Sequence, residues 1–165
     1  MKFLVPVDGT PKDTILPLNH YIFGTGDVLT ATIDTADIGR FVAKIIDDPR
    51  TLNRQVFCYG EHKTQNETWS ITKKIKEELR GGALDAVPRI VTIEELKSGQ
   101  KAESFVESAM WEYMYSMFVR GDNTVENAQK HDYGAALDAR VLYPDLAVTS
   151  LEEFVRRSYE TGGAY

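Results

Sequence analysis

Tyr59 and Lys63 stand four residues apart in Tyr59-Gly60-Glu61-His62-Lys63. At that spacing a tyrosine acid and a lysine that lowers its pKa can work as a pair, provided both lie on one helix face. Here Gly60 follows a short apolar run and breaks the backbone between them, so the preferred reading is chance spacing. Gly24-Thr25-Gly26 imitates the opening of a G-x-G-x-x-G nucleotide fingerprint, but Leu29 takes the third glycine's place. A strand, not a helix, is expected to follow, so no helix N-terminus would receive a pyrophosphate, and the segment reads as a turn. His20, His62 and His131 are too scattered to suggest a metal site, and no local nucleophile–base pair stands out. Arg120-Gly121-Asp122 reads as a helix stop, and the sequon Asn66-Glu67-Thr68 falls inside a helix cap.

Positioning these residues falls to a helix and strand between Asp34 and Gly60, around which the chain is organised. Asp34-Thr35-Ala36-Asp37 suits a helix N-cap, and Ile38, Phe41, Val42, Ile45 and Ile46 recur on one apolar face. The spacing predicts a helix over 37–47, ended by Asp47-Asp48-Pro49. Gln55-Val56-Phe57-Cys58-Tyr59 predicts a strand buried on both faces, as in a parallel sheet under helices. Other strands are expected at Phe3-Leu4-Val5-Pro6-Val7, over 28–33 and over 88–92, with an irregular loop over 8–19.

Three capping boxes announce later helices: Thr64 with Glu67, Thr92 with Glu95, and Ser150 with Glu153. The first helix carries Trp69, Ile71, Ile75 and Leu79 and ends at Gly81-Gly82. A longer one is expected over 103–119, with Phe105, Val106, Ala109, Met110, Tyr113, Met114 and Met117 on one side. An irregular tail then leads to a last helix from Leu151 to about Tyr159, which packs Leu151, Phe154 and Val155 inward.

The 165 residues suit one domain, and a composition 42% hydrophobic and 27% charged is that of an ordinary soluble globular protein. A net charge of -6 argues against nucleic acid as the main partner; the basic run Lys73-Lys74-Ile75-Lys76 is followed at once by Glu77-Glu78 and reads as a solvated helix face. The single cysteine, Cys58, is expected to be a buried, reduced thiol. Without a signal peptide, lipidation motif or long apolar span, the expected location is cytoplasmic, away from membranes.

Asp37-Ile38-Gly39-Arg40-Phe41-Val42-Ala43, followed by Asp47-Asp48-Pro49-Arg50-Thr51-Leu52-Asn53, resembles the NmrA-like, isoflavone-reductase-like family of atypical short-chain dehydrogenases. Thr64-Gln65-Asn66-Glu67 falls where that family opens its next helix. Phe118-Val119-Arg120-Gly121-Asp122-Asn123-Thr124, Leu142-Tyr143-Pro144-Asp145-Leu146 and Ser150-Leu151-Glu152-Glu153-Phe154 are similar to its C-terminal signature. The pieces stand in order along essentially the whole chain.

The resemblance implies an α/β fold (α+β in what remains): the C-terminal part of a Rossmann-type NAD(P)-binding fold with its substrate-side helical domain, lacking the N-terminal dinucleotide-binding half. In that frame 1–165 is one domain, with 1–60 ending the Rossmann sheet and 61–165 mostly helical and substrate-side. The family uses NADPH, but the glycine-rich turn that binds it and the proposed general-base lysine have no counterpart in this sequence. Two function classes stay open: the substrate-side portion of an NADPH-dependent reductase of small aromatic compounds, inactive alone, or a non-catalytic NmrA-type regulatory or protein-interaction module. A truncated paralogue without activity is a third reading. In the parent reductase Tyr113, Met114, Met117 and Phe118 would line the substrate pocket, although the same stripe also fits plain helix core. The expected partners are a small aromatic substrate and either a second copy of the chain or an N-terminal Rossmann half.

Overall fold

The computed structural model describes residues 20–82 and 87–161. The strand expected at Phe3–Val7 and the loop over 8–19 lie outside these residues.

The described strands form three separate two-stranded pairs rather than one sheet. β1 (Tyr21–Phe23) runs parallel to β5 (Arg89–Val91), and β2 (Thr30–Thr32) antiparallel to β4 (Glu61–Lys63). β3 (Val56–Phe57) runs parallel to β6 (Leu137–Asp138). The strand expected over 28–33 is therefore only three residues long, and β1 had no sequence signal at all. The run at 55–59 corrects most. Only two of its residues pair, and they are half-buried rather than covered on both faces, because β6 is their one neighbour among the described residues. Cys58 is half-buried for the same reason; partial burial pushes its thiol pKa up.

α1 (Thr35–Ile45) begins two residues before the expected start, because Asp34 is the N-cap and accepts the Ala36 amide at 2.9 Å. It ends at Ile45, and Pro49–Thr51 forms a separate 3₁₀ turn capped by Asp48. Of the apolar face read from the sequence, Phe41 is fully buried and Ile45 partly so. Ile38 and Val42 are exposed, and Ile46 keeps 80% of its surface. The described residues cover only one edge of that face, along Asp37 and Phe41.

α2 (Gln65–Arg80), α3 (Ile93–Gly99) and α7 (Leu151–Glu160) each carry the expected capping box, with both reciprocal bonds present. α2 stops at Gly81, whose φ of 66° suits glycine. α7 buries Leu151, Phe154 and Val155 against Ile75 of α2, with Ile71 alongside. Leu79, by contrast, is exposed.

The helix expected over 103–119 divides into α4 (Phe105–Tyr115) and a π-helical turn, Ser116–Arg120, which ends at Gly121 in the left-handed region. The expected irregular tail contains α5 (Val125–Ala128), a 3₁₀ turn at His131–Tyr133, β6 and α6 (Ala139–Leu142). These pieces are too short to show a period. A second core joins β1, β5, α3 and α4 through Phe23, Val91, Leu96, Met114, Met117 and Phe118.

Candidate functional site

α4 is apolar on nearly every side, from Phe105 and Val106 to Trp111, Tyr113 and Met114, a pattern that calls for cover on two faces. One face turns into the second core. There Met114 and Phe118 are almost fully buried, Met117 nearly so, and the Phe118 ring stacks on Phe23 with centroids 5.3 Å apart. The other face is open, with Tyr113 57% exposed and Phe105 and Val106 more so. Of the four residues taken from the sequence as pocket lining, the structure thus gathers Met114, Met117 and Phe118 in one packed cluster. Tyr113 lies apart from them on the outer surface.

The π-helical turn that carries Met117 and Phe118 is fastened by Asp122. π turns are rare and frequently occur at functional sites. The Asp122 carboxylate accepts Ser116 Oγ at 2.8 Å, Arg120 Nε at 2.7 Å and the Tyr133 hydroxyl at 2.9 Å. Burial alone would raise its pKa, but the bonds from Arg120, Ser116 and Tyr133 outweigh that and hold the carboxyl below its ordinary range. Arg120 also reaches Glu112 Oε1 at 2.6 Å and lies over the Tyr115 ring. Reading Arg120-Gly121-Asp122 as a helix stop was correct but missed this hub, because Tyr133 lies eleven residues on with no local signal.

Tyr59 and Lys63 do not meet as an acid and its activator. Tyr59 donates to Asp138 Oδ2 at 3.3 Å, while Lys63 lies on β4 with Nζ 3.9 Å from Glu61. Burial and the Asp138 carboxylate raise the Tyr59 pKa, opposite to what a proton donor for hydride chemistry needs. His62 Nε2 accepts the Val125 amide at 3.2 Å and so anchors α5. Among the described residues no cluster of three or more His, Cys, Asp or Glu side chains could hold a metal ion.

The turn at Gly24–Asp27 does not fit a dinucleotide. Gly24 and Gly26 both have positive φ, but β2 follows, as expected. The space inside the turn is taken by Asn66, whose amide donates to Thr25 O at 3.0 Å and to Asp27 Oδ1 at 2.7 Å. A pyrophosphate would meet a filled turn and a carboxylate.

No protein-family model matches the chain. It is 28% identical over 137 residues to a bifunctional pinoresinol-lariciresinol reductase from Thuja plicata, spanning 83% of this chain and 41% of that protein. It is 29% identical over 158 residues to a phenylcoumaran benzylic ether reductase from Ginkgo biloba, spanning 94% of this chain and 48% of that one. Among solved structures, isoflavone reductase matches with a TM-score of 0.62 at 25% identity, covering 90% of this chain and 44% of that chain. A ternary complex of leucoanthocyanidin reductase from Vitis vinifera shares the fold with a TM-score of 0.69 at 23% identity, covering 92% and 51%. The chain therefore spans about half the length of the relatives it matches. No helix among the described residues is long and apolar enough to cross a membrane.

Proposed function

Because this chain belongs with the C-terminal half of the isoflavone-reductase-like family, we propose that it forms the substrate-side part of an NADPH-dependent reductase of small aromatic, phenylpropanoid-type compounds. The reading is carried by α4, a helix apolar on both faces, only one of which the described residues cover. In this proposal the outer face, with Tyr113, Phe105 and Val106, closes the pocket over a planar substrate. Met114, Met117 and Phe118 form the wall behind it, kept in register by Asp122. In this proposal 20–60 contribute strands to the nucleotide-binding side, each of them paired with a strand from 61–165, and the helices of 61–165 supply the substrate side.

NADPH would supply the hydride when bound to the other half of such an enzyme. This chain's own residues would bind and orient the aromatic ring and exclude water from it. Alone, the chain is expected to turn nothing over.

The test is co-expression, as separate chains, with the N-terminal half of the Thuja plicata reductase, followed by NADPH consumption with pinoresinol. Turnover by the pair, with neither chain active alone and a KM raised several-fold by Tyr113→Ala, supports the reading. An assembled pair that binds NADPH but neither binds nor reduces the lignan rejects it, and favours the regulatory alternative.

A further inference from the structure

Val125 opens α5, so its amide is one of the donors that a helix start leaves without an intrahelical partner, and the residue is buried. Its acceptor is His62 Nε2 on β4, at 3.2 Å. An imidazole nitrogen that accepts a hydrogen bond carries no proton, so the ring is neutral here, with its proton on Nδ1. A second proton would go to Nε2. It would point at the Val125 N–H and leave that buried donor facing a cation.

The groups around the ring favour the second proton. Tyr59 lies beside it, with ring centroids 4.8 Å apart, and the carboxylates of Asp138 and Glu126 both act on the Tyr59 hydroxyl. The opposing cation is Arg140, which lies over the Tyr59 ring and donates to the Gly60 carbonyl at 2.5 Å. On β4 itself Glu61 and Lys63 alternate to the other face of the ribbon, and β2 opposite brings only Thr30, Ala31 and Thr32. Asp122, three residues before Val125, is committed to Ser116, Arg120 and Tyr133.

α5 is tied onward to the π-helical turn. Asn127 donates to the Gly121 carbonyl at 2.7 Å, and the Thr124 amide donates to the Asp122 carbonyl at 3.0 Å. The start of α5 thus holds the two residues that follow the turn carrying Met117 and Phe118. Asn123 between them is fixed to β2 by bonds that do not titrate: its amide donates to Thr30 Oγ1 at 2.8 Å and to the Ala31 carbonyl at 3.0 Å. Asn123 is a pivot that stays in place when His62 lets go.

We infer that His62 is an acid-released latch. Neutral, it holds α5 and, through Gly121 and Asp122, the wall of Met117 and Phe118; protonated, it frees α5 to swing about Asn123 and loosens that wall. The latched state binds one proton fewer than the released state, so the latch is closed at high pH. It opens as pH falls through the range in which histidine takes up its proton. As regulation of the substrate side the inference rests on the proposed function, whereas the hinge itself rests on His62 and Val125.

Nuclear magnetic resonance of the full chain between about pH 7.5 and pH 5.5 tests it. At the upper pH the His62 ring should carry its proton on Nδ1. At the lower pH the amides of Val125 to Ala128 should exchange about tenfold faster, after correction for intrinsic rates. The Met117 methyl signal should shift with the same midpoint as the His62 ring. His62→Gln, whose side-chain carbonyl accepts an amide at either pH, should remove both changes, and His131→Gln should keep them. A neutral ring protonated on Nε2, unchanged exchange, or a Met117 signal that ignores the His62 titration overturns the inference, as does a step that survives in His62→Gln. The readouts on the unmodified chain decide the matter even where a variant fails to fold, and none involves NADPH or an aromatic compound. In the assembled pair of chains, the KM for pinoresinol should rise about tenfold at the lower pH, and not in His62→Gln. Absence of turnover at both pH values rejects the proposed function and leaves the latch to stand or fall on the resonance data. Turnover with a KM flat in pH keeps the function and overturns the latch's hold on the site.

Discussion

Tyr133 donates its hydroxyl to Asp122 at 2.9 Å, fastening the 3₁₀ turn at His131–Tyr133 to the π-helical turn at Ser116–Arg120. Asp122→Ala leaves Ser116, Arg120 and Tyr133 without their acceptor and should cost about 1–2 kcal/mol, its partners being half in solvent. Tyr133→Phe should cost less. Urea melts followed through Trp111, which packs on the same core, measure both.

The same carboxylate sets an acid dependence. Its folded pKa lies below the ordinary value of about 3.9, so its stabilisation is present above that pH and is lost as pH falls through the folded pKa. Between about pH 5 and pH 2 the wild-type melting temperature should therefore fall more steeply than that of Asp122→Asn. Parallel slopes would show that the hub carries no titrating contribution.

On α1, Phe41→Ala should destabilise by roughly 3–5 kcal/mol, since the ring is fully buried. Val42→Ala, on the exposed stripe, should stay within about 0.5 kcal/mol. Arg40 lies on the exposed side of α1. It pairs with buried Asp37, so Arg40→Ala should cost measurably more than Val42→Ala in denaturant melts.

Two helical glycines should respond oppositely to alanine. Around Gly39 the space is open, so Gly39→Ala should stabilise by about 0.5–1 kcal/mol through helix propensity. A methyl group at Gly99 would fall on the Trp111 indole, so Gly99→Ala should destabilise by about 1–3 kcal/mol despite the same propensity gain. Thermal melts with Trp111 fluorescence read both the loss and its cause.

NADPH titrated calorimetrically into the chain alone should show no saturable micromolar binding. The only glycine turn of nucleotide-like spacing is filled by Asn66 and leads into β2. Saturable binding would oblige a search for a pyrophosphate site elsewhere.

What could be read from the sequence follows how locally each feature is determined. Capping boxes complete themselves within four residues, so Thr64, Thr92 and Ser150 marked three helix starts correctly. Leu151, Phe154 and Val155 were also legible, because α7 has a partner on its apolar side. The face of α1 was misjudged for the converse reason: periodicity shows which side seeks burial, not whether a neighbour provides it, and among the described residues none covers Ile38, Val42 and Ile46. β1 went unseen because Tyr21–Phe23 is too short to alternate and depends on residues 89–91 and on Gln65. The hub at Asp122 was hidden by the sequence distance to Tyr133.

Gln65, the first residue of α2, accepts the Phe23 amide at 2.9 Å and donates to the Tyr21 carbonyl at 3.0 Å, on the edge of β1 away from β5. One side chain thus plugs the hydrogen-bonding rim of a parallel ribbon. A stray β segment from another molecule cannot zip onto that rim without first evicting Gln65, and eviction would strand a buried amide and loosen the start of α2. Gln65 is thereby a molecular stopper against runaway strand addition, so Gln65→Ala should show itself first as faster fibril or aggregate growth rather than as a lost pocket.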